Sequence, residues 1–205
     1  MKVYFVRHGE SVHNAEMVYQ PADSALSQKG IKQAEILANR FKLIPVDIIF
    51  SSPFERTRQT AEVIKKTVQK EVVYTELLQE IRRPLAIVGR TQEDPEVQII
   101  FDIINNHSND SNWHYGEEEN FSDLKKRGEK FLQLLESRTE DYVLCVTHAT
   151  VLRMIVCLMM NKNLTPEQFQ QFWSFFLTKN TGITLCVREE GVWKLITWND
   201  HAHLG

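Results

Sequence analysis

The chain is poor in cysteine, in long apolar runs and in positive charge. Its 205 residues hold three cysteines, Cys145, Cys157 and Cys186. An odd count at those spacings fits neither a disulfide framework nor a zinc ribbon. Cys145 and Cys186 lie inside apolar runs, where a thiol behaves as a small hydrophobe. Such usage predicts a reducing compartment, the cytoplasm. No apolar run approaches the ~20 residues of a membrane-spanning helix. The apolar stretch at residues 3–6 is too short for a secretory leader. The formal net charge is −3, and that acidic balance argues against a general nucleic-acid or membrane surface. Carboxylates do not cluster as magnesium ligands do, and the metalloprotease helix motif is missing. No metal and no cofactor is therefore expected. There is no internal repeat and no low-complexity tract.

What is present suits one ordinary domain spanning residues 1–205, with 42% hydrophobic residues to build a core. Continuous apolar runs at residues 3–6, 48–50 and 142–146 suit strands buried on both faces of a parallel sheet. Helical patterns lie between them. Ile31, Ala34, Ala38 and Phe41 recur at helix spacing behind Ser27, a candidate N-cap. Ser52-Pro53-Phe54-Glu55 reads as a capping box opening a helix that carries Ala61, Ile64 and Val68. Phe121, Leu124, Gly128, Phe131, Leu132 and Leu135 form another stripe, and a further helix follows His148. Near the end, two strand-like segments flank Glu189-Glu190-Gly191, a hairpin signal. The expected fold is α/β: a three-layer α/β/α sandwich around a mostly parallel central sheet with one antiparallel strand. Residues from about 82 to 120 are less regular and read as an insertion or lid, with an exposed loop at residues 107–112.

Three candidate strands run into polar clusters. They are Arg7-His8-Gly9-Glu10-Ser11, Ser51-Ser52-Pro53-Phe54-Glu55-Arg56 and Thr147-His148-Ala149-Thr150. Ligands of open α/β sheets bind beyond the carboxyl ends of the strands, so the three clusters should meet at one sheet edge. Arginine forks and helix N-termini both suit phosphate. Neighbouring arginines favour a neutral imidazole, which is a competent nucleophile toward phosphorus.

The run Arg7-His8-Gly9-Glu10-Ser11-Val12-His13-Asn14 resembles the opening motif of the histidine phosphatase superfamily, also called phosphoglycerate mutase-like. Leu26-Ser27, Gly30 and Gln33-Ala34 resemble its next segment, and Ser51 to Arg56 with Thr60-Ala61 the third. Thr147-His148 resembles its second-histidine motif, and Asn199-Asp200 with His203-Leu204 a frequent family ending. The resemblance implies that His8 becomes phosphorylated. It places Arg7, Arg56 and His148 in the phosphate pocket, with Asn14 and Ala149 as further contacts, and Glu80 as proton donor. It also implies a phosphomonoester hydrolase acting on a phosphorylated small molecule. Three departures bear on substrate rather than on phosphate: Ile81-Arg82-Arg83-Pro84 after Glu80, Ala149 where glycine is common, and Glu118-Glu119-Asn120 before the late helix.

Two other functions stay open at this point. One is a cofactor-dependent phosphoglycerate mutase, although the continuation expected of it after the acidic residue is missing. The other is a non-catalytic domain that binds a phosphorylated ligand. Arg58 competes with Arg56 for the pocket, and motif register favours Arg56. His13, His107, His114, His201 and His203 read as surface residues, and Trp113, Trp193 and Trp198 as packing residues. Arg82 and Arg83 suit either a solvated pair or a contact to a second anionic group. Glu117 to Glu119 reads as a solvated face.

Overall fold

The computed structural model describes residues 1–205. In chain order the elements are β1 (Lys2–Arg7), the single turn α1 (Val12–Ala15), α2 (Gln28–Phe41), β2 (Ile48–Ser51), α3 (Glu55–Val68) and β3 (Val72–Tyr74). They continue with α4 (Pro95–Asn106), α5 (Phe121–Glu136), β4 (Tyr142–Thr147), α6 (Ala149–Met160), α7 (Pro166–Phe175), β5 (Ile183–Glu189) and β6 (Val192–Asp200). The strands form one sheet in the order β3-β2-β4-β1-β5-β6. β1 to β4 pair in parallel, β5 opposes β1, and β6 opposes β5. Only β5 therefore runs against the rest, as expected from the sequence.

The pleat explains why the strand runs lack alternation. Val143 and Cys145 point to one face and Leu144 and Val146 to the other, and all four are buried. On the first face, Phe131 and Leu135 of α5 and Leu152 and Ile155 of α6 cover the sheet. On the second, Leu37 and Phe41 of α2 and Ala61 and Ile64 of α3 do so. Helices thus sandwich the sheet in three layers. Ser27 caps α2 as expected, its Oγ accepting from Gly30 N at 3.0 Å. The hairpin turn holds Glu190 at φ 51° and Gly191 at φ 81°. Two successive positive φ values match the twist of the flanking strands, and the second suits glycine.

Two expectations need correction here. Ser52 does not open a capping box: α3 starts at Glu55, behind Phe54, with no side-chain cap. The Ser52 hydroxyl instead accepts from Phe54 N at 3.3 Å and faces the second histidine. The region from 82 to 120 is also more ordered than it reads. Asp94 caps α4 with Pro95 at its first position. Ile87, Val97 and Ile100 form a small core with Tyr19, Phe101 and Tyr115 against them. The apolar residues of α4 wrap most of its circumference, with Ile99 and Ile103 left exposed, so periodicity does not announce this helix.

Candidate active site

The parallel register carries three chain segments to one sheet edge. Arg7 pairs with Thr147, and Ser51 with Val146. The ladder continues one residue past the strands. His8 N donates to Thr147 O at 3.0 Å, and Ser52 N to Val146 O at 3.1 Å. His8, Ser52 and His148 therefore stand side by side because their strands are in register. Gly9 then has to pass under α2. A Cβ on Gly9 would lie 2.6 Å from the Gly30 carbonyl, and one on Gly30 would lie 1.9 Å from the Glu10 carbonyl. Both motif glycines are fixed by this close approach.

His8 is 2% exposed and His148 is fully buried, with ring centroids 5.1 Å apart. His8 Nδ1 lies 2.7 Å from the Gly9 carbonyl. A carbonyl only accepts, so Nδ1 carries the hydrogen and the lone pair sits on Nε2. Burial first, then the charges of Arg56 and Arg7, hold the His8 imidazole well below its usual pKa, against the Gly9 hydrogen bond. His148 is pushed down in the same way by burial, then by Arg56, His8, Arg7 and Arg127. Both rings are neutral at neutral pH. Ser52 Oγ meets His148 Nε2 at 2.9 Å. With Ser52 donating, the hydrogen of His148 lies on Nδ1, which has no protein partner.

Each arginine is anchored by a backbone carbonyl. Arg7 Nη1 donates to Thr178 O at 2.8 Å, and Arg56 Nη1 to Pro21 O at 3.0 Å. The Nε of each is buried without a partner. A buried unpaired donor costs about 1–3 kcal/mol. Three such groups at one site, with His148 Nδ1, point to an oxyanion. Burial brings the Arg56 guanidinium down to about 10, Glu80 opposing and Arg7 adding to the fall, so it stays cationic. Arg58, its sequence competitor, points away, with a long ion contact to Glu55 and the Tyr74 ring 5.1 Å beneath it.

Glu80 lines the same cleft. Its Oε1 accepts from Ile81 N at 2.9 Å and its Oε2 from Thr150 N at 3.2 Å, in the first turn of α6. Its loop is pinned from two sides. Thr147 Oγ1 donates to Leu78 O, and Arg127 Nη1 donates to Leu77 O and Gln79 O. Arg127 is itself held by both carboxylate oxygens of Glu119 at 2.7 Å. Asn14 Oδ1 accepts from Ser11 N and from Asn180 Nδ2, which also donates to the His8 carbonyl. Ala149 opens α6 and lines the cleft, whose volume is about 830 Å³.

Six of the seven expected residues thus line one cleft, and the seventh, His148, is fully buried against His8. The solvated face expected at Glu117 to Glu119 is corrected. Glu118 is 3% exposed, burial raising its carboxyl above the usual range, and Glu119 chelates Arg127. Sequence reasoning did not give roles to Ser52, Arg127 and Asn180. Ser52 was visible inside a motif but read as a cap, and Arg127 stood on a recognised helix. Nothing in the chain around Asn180 marks it. No group of three or more histidine, cysteine, aspartate or glutamate side chains converges to hold a metal ion.

Comparison with known proteins gives the same outline. Residues 3–201 match the model of the histidine phosphatase superfamily, branch 1. A Hydrogenobacter thermophilus protein named as a candidate phosphoserine phosphatase is 29% identical over 192 residues, covering 89% of this chain and 87% of its own. The solved YhfR of Bacillus stearothermophilus is 25% identical, with a TM-score of 0.85 over 100% of this chain and 99% of that one. An Entamoeba histolytica phosphoserine phosphatase, solved as a mutant with phosphoserine, is 26% identical, with a TM-score of 0.81 over 99% and 98% of the two chains. The chain belongs to the histidine phosphatase superfamily, and its relatives mark it as a phosphoric monoester hydrolase.

Proposed function

We propose that the chain hydrolyses small phosphomonoesters in two displacements, through a phosphohistidine on His8. The observation that carries this is the 2.7 Å contact of His8 Nδ1 with the Gly9 carbonyl, which leaves Nε2 as a neutral nucleophile. Nε2 attacks phosphorus and the bond to the leaving oxygen breaks. Glu80 protonates that oxygen as it departs. Water then loses a proton to Glu80 and attacks the phosphohistidine, breaking the P–N bond and freeing Nε2. Arg7, Arg56 and His148 stabilise the charge on the equatorial oxygens, with Asn14 and the Ala149 end of α6 as additional donors. The segment from 82 to 120 serves as the insertion that shapes the outer cleft of a single domain. No helix is long and apolar enough to cross a membrane, and three free, buried cysteines support a cytoplasmic setting.

The test uses an aryl phosphate with chelator present throughout. Wild type should turn over undiminished by the chelator, and His8→Ala should fall below detection. Glu80→Gln should lose about 10²–10⁴ in kcat, and Arg56→Ala about 10²–10³. Activity that survives His8→Ala contradicts the nucleophile assignment.

A further inference from the structure

The cleft is far larger than its phosphate floor requires. At about 830 Å³ it lies high in the roughly 300–1,000 Å³ range of pockets that engulf drug-sized ligands. Its polarity is also divided. The floor carries Arg7, His8, Arg56 and Glu80, whereas the flanks set large apolar side chains among polar ones such as Gln92, Asn105 and Gln170. One flank comes from the 82–120 segment, with Leu85 and with Phe101 and Ile104 of α4. The opposite flank comes from α5 and α7, with Phe121, Phe169 and Trp173. These aromatic groups are already fixed by one another. Phe121 and Phe169 lie 5.9 Å apart, Phe169 and Trp173 6.2 Å, and Tyr19 and Phe101 5.3 Å. Leu85 is 72% exposed and Trp173 38%, so apolar surface faces solvent on both sides of the opening. A ligand with an apolar body would cover both.

The charges of the outer cleft fit the same reading. Arg83 makes no ion pair, and its guanidinium lies 5.3 Å over the Phe101 ring. The buried carboxylate of Glu118 shares this part of the lining and offsets it. Arg82 turns its Nε to the Glu117 carbonyl, and Arg127 is chelated by Glu119. A substrate carboxylate in this region would meet Glu118 as well as Arg83. Compact phosphorylated acids therefore gain little here, and they leave both flanks uncovered.

We propose that this cleft selects phosphomonoesters with an extended aliphatic or aromatic leaving group over compact, carboxylate-bearing ones such as phosphoserine and 3-phosphoglycerate. The inference rests on the phosphatase reading above and adds the substrate class. It is tested with straight-chain alkyl phosphates from ethyl to octyl, whose leaving groups have nearly constant basicity. Differences along the series then report burial rather than chemistry. In the wild type, kcat/KM should climb by about fourfold per methylene where the chain lies along the flanks. Phosphoserine and 3-phosphoglycerate should fall at or below ethyl phosphate. Trp173→Ala should flatten the climb. That slope does not depend on how much of the variant folds, because every member is measured on the same preparation. A flat wild-type series, a phosphorylated acid outrunning hexyl phosphate, or an unchanged slope in Trp173→Ala overturns the substrate class. Failure to hydrolyse any member, with no phosphoenzyme formed, would instead overturn the phosphatase reading itself.

Discussion

The proposed chemistry rests on two imidazoles, His8 and His148, held neutral by burial and by arginines. Their depressed pKa values have a consequence for stability. In an unfolded chain both would titrate near 6.5. Below that pH the unfolded state takes up two protons that the folded state refuses, so stability falls as the solution is acidified. Between about 6.5 and the folded values, each histidine contributes a loss of about 1.4 kcal/mol per pH unit. Above neutrality neither contributes a slope. Thermal melts from pH 8 to pH 5 should show a plateau and then a decline, and His148→Gln should make that decline shallower. A melting temperature as steep in the variant as in the wild type would mean that His148 is protonated when folded. Activity should also not fall as the pH drops through 6.5, because burial and the two arginines hold the His8 imidazole well below that usual value. At this scale the sequence was informative wherever a residue stood in a recognisable run. Arg7, His8, Arg56 and His148 were legible for that reason. Asn180 was not, since its contact with the His8 carbonyl depends on a chain separation of 172 residues.

Among the elements, register is what assembles the site. His8 and His148 are 140 positions apart in the chain, yet β1 and β4 deliver them as neighbours because Arg7 pairs with Thr147. That convergence was readable, since buried strand runs and polar strand ends are both local patterns. Capping was less readable. Ser52 has the residue types of a cap around it, but the Phe54 backbone and His148 claim its hydroxyl. The sheet must hold its place under the site for this delivery to work. Phe131 of α5 is fully buried, with its ring centroid 6.5 Å from Phe5 of β1 and 6.2 Å from Phe50 of β2. Phe131→Ala should cost about 3–5 kcal/mol of stability, read by chemical denaturation, while kcat of the folded fraction changes little. A loss under 1 kcal/mol would show that this contact does not anchor the helix to the sheet.

For the molecule as a whole, the α/β/α sandwich and the convergence of the candidate phosphate-site residues followed from sequence, while the outer cleft did not. The reason is physical. The floor is built from short motifs at strand ends, each carrying its own chemistry. The flanks are built from α4 on one side and from α5 packed on α7 on the other, and no local pattern announces that these helices line one space. Their residues look like ordinary core positions until the space between them is seen. The mutase and pure-binding alternatives share the fold and most of the floor, so the distinction between them lies in what happens at His8. The most direct measurement is a rapid quench of enzyme with an isotopically labelled phosphomonoester, followed by peptide mapping under mild alkali. An acid-labile phosphate on His8 that forms and decays at rates matching turnover, with free phosphate as the final product, is the expected result. Phosphate release without any label on His8, or a label on a different residue, would contradict the account.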